Sequence, residues 1–207
     1  MRVLFIWCIC FFMIHVSIKN EGSPVKKEIN SKKADFRTSF NYVMKHEGYY
    51  ANHKNDLGRE TYSGISRRYH PYWYGWRYVD KYKRKSPLKW NTHIPELDFW
   101  TLDWYLDLWV KERFYELKDQ EVANYVYDFR INGTIGTRLI QKSLNEIGYK
   151  VPINNKMDSL TISSINMVNK KKFLKVLKRR RTAFYNAIAK RDSTQRIFLK
   201  HWLSRAK

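Results

Sequence analysis

Residues 46–65, His46-Glu47-Gly48-Tyr49-Tyr50-Ala51-Asn52-His53-Lys54-Asn55-Asp56-Leu57-Gly58-Arg59-Glu60-Thr61-Tyr62-Ser63-Gly64-Ile65 (HEGYYANHKNDLGRETYSGI), set one glutamate before a glycine and tyrosine run and an aspartate nine residues later. The residues just upstream fix where that glutamate sits. Asp35 is a good helix N-cap, and Phe36, Phe40, Val43 and Met44 follow at helical spacing, so a helix is expected over about 35–47. Glu47 then stands at a helix C-terminus, whose partial negative charge suits a carboxyl that holds its proton. Tyr49, Tyr50 and Tyr62 are placed to shield it from water, whereas Asp56, beside Asn55 and Gly58, has polar neighbours. Two carboxyls in unlike surroundings can divide acid and base roles, although a Glu and an Asp at this spacing also occur as plain surface charges.

Outward from this stretch the chain divides by composition. Met1–Ile18 (MRVLFIWCICFFMIHVSI) carries one charge, Arg2, before a nearly unbroken apolar run, the pattern of an export signal over residues 1–19. The run is short for a membrane span and no clean small-residue cleavage site follows, so an uncleaved anchor through residues 3–18 stays open. Both cysteines, Cys8 and Cys10, fall inside it, which leaves the rest of the chain without a disulfide or a thiolate metal site. Residues 20–34, lysine-rich and broken by Gly22 and Pro24, read as a flexible linker.

Past the opening stretch, residues 48–95 are irregular and include His70–Asp80 (HPYWYGWRYVD), with four aromatics in five positions. A loop of that length is either a cleft wall or a cover over an aromatic satellite core. Leu97–Leu117 reads as one buried helix or two short ones through Trp100, Trp104 and Leu108, and Val122–Phe129 as another, ended by the turn at 132–136. Helices follow over 137–146, from Thr161 as a cap, over 170–190 and over 194–205. Arg180 or Arg181 interrupts the apolar stripe of the long helix, and an inward arginine needs a carboxylate partner, for which one in the cleft is a candidate. No convincing strand alternation appears, so the fold class is mainly α.

The charge balance, 40 Lys and Arg against 19 Asp and Glu, directs the protein towards polyanions unless it is simply a solvated basic surface. No GxxxxGK[ST], GxGxxG or HExxH occurs, which removes the common nucleotide and zinc-protease readings. A nucleic-acid binder would explain the charge and the 16% aromatic content but not the export signal.

The opening stretch closely resembles the E-G-G-Y-x-N-x-x-x-D-x-G-G-x-T-x-x-G-I signature of glycoside hydrolase family 108, the N-acetylmuramidases. In that pattern Glu47 takes the place of the catalytic glutamate, and Asp56, Gly58, Thr61, Gly64 and Ile65 match the positions that shape the cleft. Later blocks follow in the family's order. Tyr127–Gly133 resembles F-D-x-x-V-N-x-G, Leu139-Ile140-Gln141 resembles L-L-Q, Arg181–Tyr185 resembles R-x-x-F-Y and Phe198–Leu203 resembles F-L-x-G-W-L. The chain departs at Tyr49 and Arg59, where the family has glycines, and at 154–161, where a D-G-x-I-G-P-x-T turn has lost its glycines and proline.

The resemblance implies a lysozyme-like helical catalytic region over 35–120 with a long aromatic-rich loop, and a helical peptidoglycan-binding region over 121–207. It implies Glu47, Asp56 and Thr61 as catalytic, and Tyr49, Tyr50, Asn52, Tyr62, Gly64, Asp128 and Asn132 as substrate-binding, with no metal and no cofactor. The expected partner is the glycan strand of peptidoglycan, with anionic wall or membrane polymers as further attractants and no nucleic acid. The expected site of action is the periplasm or cell envelope. The spacing of Glu47, Asp56 and Thr61 is also similar to that of phage-type lysozymes, which implies an inverting mechanism. Alternatives are a wall-binding or secretion-accessory protein that keeps the fold without activity, and a lytic transglycosylase.

Overall fold

The computed structural model describes residues 33–207 apart from Leu57, Asn132 and the side chain of Thr134. The segment 1–19 read as an export signal, nearly all of the expected linker over 20–34 and the candidate residue Asn132 therefore lie outside the described residues. Among the described residues no helix is long and apolar enough to cross a membrane. The protein is mainly α, with one small antiparallel sheet.

Helix α1, Phe36–Met44, starts where its cap dictates: Asp35 Oδ1 accepts from the Thr38 N–H and the Thr38 hydroxyl, both at 2.7 Å. These hydrogen bonds, led by that from the Thr38 hydroxyl, hold the Asp35 carboxyl below the ordinary carboxylate range. Phe36 meets the edge of Trp109 and Phe40 the edge of Tyr105, while Val43 is fully buried. The helix ends three residues earlier than expected, with Lys45 as its C-cap, so Glu47 follows the helix rather than closing it.

The expected irregular stretch 48–95 holds more structure than its sequence advertises. Strands β1 (Tyr50–Asn52), β2 (Glu60–Tyr62) and β3 (Ile65–Ser66) pair in that order, with Tyr50 opposite Tyr62 and Tyr62 opposite Ile65. Ser63 and Gly64 both take positive φ, +45° and +75°, the two-residue hairpin geometry that matches strand twist. Helix α2, Trp76–Lys85, follows and buries only Trp76 and Val79. The sheet is bolted to α2 by ions. Glu60, 8% exposed, is met by Arg67 Nε at 2.6 Å, Lys83 Nζ at 2.7 Å and the Tyr50 hydroxyl at 2.9 Å. Arg67 also forks onto Asp80 and lies over the Trp76 ring. Trp73 and Trp76 pack edge to face, so the aromatic segment is in part a satellite core.

Helix α3, Leu97–Lys111, is one helix followed by a 3₁₀ turn at Phe114–Glu116, and the two are separated by Arg113 at φ +59°. Its buried row is Leu97, Thr101, Tyr105 and Trp109, one position round from the expected row of Trp100, Trp104 and Leu108, which stay half-buried. Helix α4, Gln120–Ile131, crosses behind it. Tyr127 donates to the Tyr105 carbonyl at 2.6 Å and meets Trp109 and Phe114 edge to face, while Trp109 and Phe114 stack on each other.

Helices α5 (Thr134–Glu146), α6 (Ser159–Met167), α7 (Lys170–Arg191) and α8 (Arg196–Arg205) complete the chain. The cap of α6 is Asp158, which accepts from the Thr161 N–H, and not Thr161 itself, which is fully buried. The turn before it survives the loss of glycines because Asn155 takes φ +62°, a conformation asparagine tolerates. Gln141 ties it down through the Asn155 N–H and the Lys156 carbonyl.

Candidate active site

Glu47 lines a cleft of about 1410 Å³. Its carboxyl is pressed onto the hairpin turn. A Cβ added at Gly64 would come within 2.7 Å of Glu47 Oε2 and 2.9 Å of the Tyr105 hydroxyl, so only glycine fits there, both for space and for its positive φ. Tyr105, fully buried, donates to the Ser63 carbonyl at 2.8 Å and so fixes the turn from below. Burial, and after it the Glu47 charge, pushes the Tyr105 phenol well above its ordinary value, so it stays a neutral donor.

The nearest ionic partner of Glu47 comes from the other end of the chain. Arg205 Nη1 donates to Glu47 Oε1 at 2.7 Å, and Arg205 Nη2 donates to Asp128 Oδ1 at 2.5 Å. Asp128 Oδ2 in turn faces Arg181 Nη2 at 2.6 Å. Arg181 and Asp128 are fully buried and the Arg205 side chain is 6% exposed, so two guanidiniums and two carboxyl groups form one largely buried row. Burial opposes the charge on Arg205, but Glu47 and Asp128 outweigh it and hold the guanidinium above its ordinary value. The Arg181 guanidinium is also within 6 Å of the Tyr125, Phe129 and Tyr185 ring centres.

The inward arginine of α7 is thus Arg181, while Arg180 pairs with Glu146. Its carboxylate is Asp128, beneath the cleft rather than in it.

Asp56, Thr61, Tyr49, Tyr50 and Gly64 line the same cleft as Glu47. Asp56 Oδ1 accepts from the Gly58 N–H at 2.7 Å, and Ser66 donates to the Gly58 carbonyl at 2.8 Å, which sets the turn that presents the carboxyl. Arg59, where the family has glycine, sits at φ +58°, so the backbone keeps the glycine-like conformation and the side chain turns back to the Lys54 carbonyl. Tyr49 needs no positive φ; its ring stands 41% exposed on the cleft wall, 4.3 Å from the His93 ring.

Three other candidates are not among the lining residues. Tyr62 is 1% exposed and its hydroxyl is engaged by the Ile94 backbone. Asp128 is buried in the ionic row, and Asn52 is exposed at the end of β1.

The sequence reading missed one wall altogether: Phe198, His201, Trp202 and Arg205 of α8 all face the cleft. The F-L-x-G-W-L resemblance marks this segment but says nothing of its position. His46, next to Glu47, also lines the cleft, and burial holds its imidazole below the ordinary value, so it is neutral at neutral pH.

Residues 40–133 match the family Glycosyl hydrolase 108, and residues 120–207 match the family Predicted Peptidoglycan domain. No curated protein matches the chain. Among solved structures, "Structure of Brucella abortus SagA" aligns over 83% of this chain and 88% of that one, with a TM-score of 0.56 and 20% identity, a likeness of fold. The first of the two matched regions holds Glu47, Asp56 and Thr61 and the second holds Arg181 and Arg205, both joined to Asp128 between them. The chain is therefore similar to the glycosyl hydrolase 108 family over residues 40–133 and to a predicted peptidoglycan domain over 120–207, a pairing that supports a peptidoglycan hydrolase of the glycoside hydrolase class.

Proposed function

We propose that the protein is a lysozyme-type N-acetylmuramidase, active in the periplasm or cell envelope, that cleaves the β-1,4 bond between N-acetylmuramic acid and N-acetylglucosamine. The observation that carries this reading is Glu47 lining the cleft beside Asp56 and Thr61, with one oxygen held by Arg205 and the other packed on Gly64. In the proposed step Glu47 gives its proton to the glycosidic oxygen as the bond to the anomeric carbon breaks. Water, oriented by Asp56 and Thr61, attacks that carbon and passes a proton to Asp56. Arg205 stabilises the carboxylate left on Glu47 as the proton departs.

The test is to incubate the purified protein with peptidoglycan and identify the new chain ends by mass spectrometry. Reducing N-acetylmuramic acid ends are expected. Anhydro-muramic ends would instead identify a lytic transglycosylase, and binding to insoluble wall with no soluble product would identify a non-catalytic binder.

Gly64→Ala probes the same geometry. The added methyl must displace the Glu47 carboxyl, so hydrolysis is expected to fall about a hundredfold, a misplacement effect. The accompanying stability loss, from a left-handed alanine that also crowds Glu47 and Tyr105, is about 2–4 kcal/mol. Activity assays paired with thermal melts check this, and an unchanged rate would place the proton donor elsewhere.

A further inference from the structure

We propose that the segment Gln195–Arg205, which lies in the region matched as a peptidoglycan domain, positions both carboxyls of the hydrolase centre, with Gln195 as the positioning residue for Asp56. The inference deepens the function proposed above and rests on it. It also cuts across the division of labour implied by the sequence, catalysis over 35–120 and wall binding over 121–207.

Two grips carry it, one at each end of the segment. At the far end Arg205 holds Glu47. At the near end the Gln195 amide donates to the Asn55 carbonyl at 2.8 Å, across 140 residues of sequence, and Asn55 directly precedes Asp56. Gln195 is 2% exposed, so this bond is shielded from competing water. It sits in the 3₁₀ turn Ser193–Gln195, which is capped by Asp192 through the Thr194 N–H and hydroxyl.

Between the two grips runs a row of rings. Tyr185 of α7 stacks on Trp202, Trp202 stacks on Phe198, and Phe198 meets the edge of His53, three residues before Asp56. Tyr185 is itself bonded to Arg181 Nε at 3.0 Å, which joins the rings to the buried ionic row. Other hydrogen bonds of the turn at 53–56 are local, from the Asp56 N–H to the His53 carbonyl, the Asn55 N–H to His53 Nδ1 and the Arg59 side chain to the Lys54 carbonyl, whereas Gln195 ties the turn to a distant part of the chain. With one rigid helix touching both carboxyl-bearing segments, the separation of Glu47 from Asp56 is set by α8. A general acid and a water-holding base need that separation constant.

Gln195→Met keeps the side-chain length and removes the donor, and Gln195→Glu keeps the size but sets an oxygen against the Asn55 carbonyl. Both are assayed on solubilised glycan strands beside wild type and Lys200→Ala, an exposed change on the same helix outside the cleft. The expected result is a kcat lowered about tenfold in Gln195→Met and further in Gln195→Glu, with KM unchanged. The melting temperature of Gln195→Met should stay near wild type, that of Gln195→Glu should fall because it buries a carboxylate, and Lys200→Ala should match wild type throughout. A wild-type kcat in both Gln195 variants overturns the proposal while leaving the proposed function standing. So does a raised KM at constant kcat, which would make the segment a glycan-binding wall only. If wild type itself releases no reducing ends, the proposed function falls first and this inference with it.

Discussion

Glu47→Gln is expected to lower the kcat of peptidoglycan hydrolysis by about a thousandfold, the middle of the range for loss of a general acid. The amide has nearly the shape of the carboxylic acid and still offers an oxygen to Arg205 Nη1, so the packing on Gly64 and Tyr105 is kept and the fold with it. What it loses is a proton that can be transferred. KM should stay close to wild type, because binding of the glycan along the rest of the cleft does not depend on that proton. Steady-state kinetics on solubilised glycan strands, with a melt to confirm folding, measure this. Equal rates for the two proteins would remove Glu47 from the chemistry and point to another carboxyl of the cleft, with Asp56 and Asp98 as the remaining lining residues of that kind.

The parts of this arrangement that sequence reveals are those encoded locally. Asp35 caps α1 because a short acceptor side chain before a periodic apolar run has few other uses. An inward charge at Arg180 or Arg181 was readable because the pair interrupts a row of apolar residues on α7, and the fold selects Arg181. The strands were not readable: two or three residues are too few for alternation to register, and what holds them is the tertiary cluster of Glu60, Arg67, Lys83 and Asp80. The hairpin did leave one local mark, the Ser63-Gly64 pair, a turn dipeptide between Tyr62 and Ile65. Helix α2 escaped because only two of its side chains are buried and the rest of its surface is basic and solvated.

Arg205 left no local mark at all. A single arginine near a chain end, 158 residues from its carboxylate, reads as surface charge. Only folding shows that the buried row needs it, and that Asp128, expected to touch glycan, is the bridge between the two arginines instead.

Removing Arg205 from that row should therefore cost substantial stability. In Arg205→Met the apolar side chain fills much of the volume but leaves Glu47 and one oxygen of Asp128 without their guanidinium. Stripping one partner from a buried ion pair costs about 3–5 kcal/mol. For a folded region of this size that corresponds to a melting temperature lower by roughly 10 °C or more. The loss is not hydrophobic in origin, and a double substitution separates the causes. In Glu47→Gln/Arg205→Met one stranded carboxylate becomes a neutral amide, so the pair should be more stable than the sum of its single losses, by about 1 kcal/mol or more of coupling. Adding Asp128→Asn should strand Arg181 in its turn and undo the gain, because Arg181 is fully buried and Asp128 is its only carboxylate partner among the described residues. Additive losses in the double variant would mean that Arg205 stabilises the fold through packing of its stem, and that the row of four charges does not act as a unit.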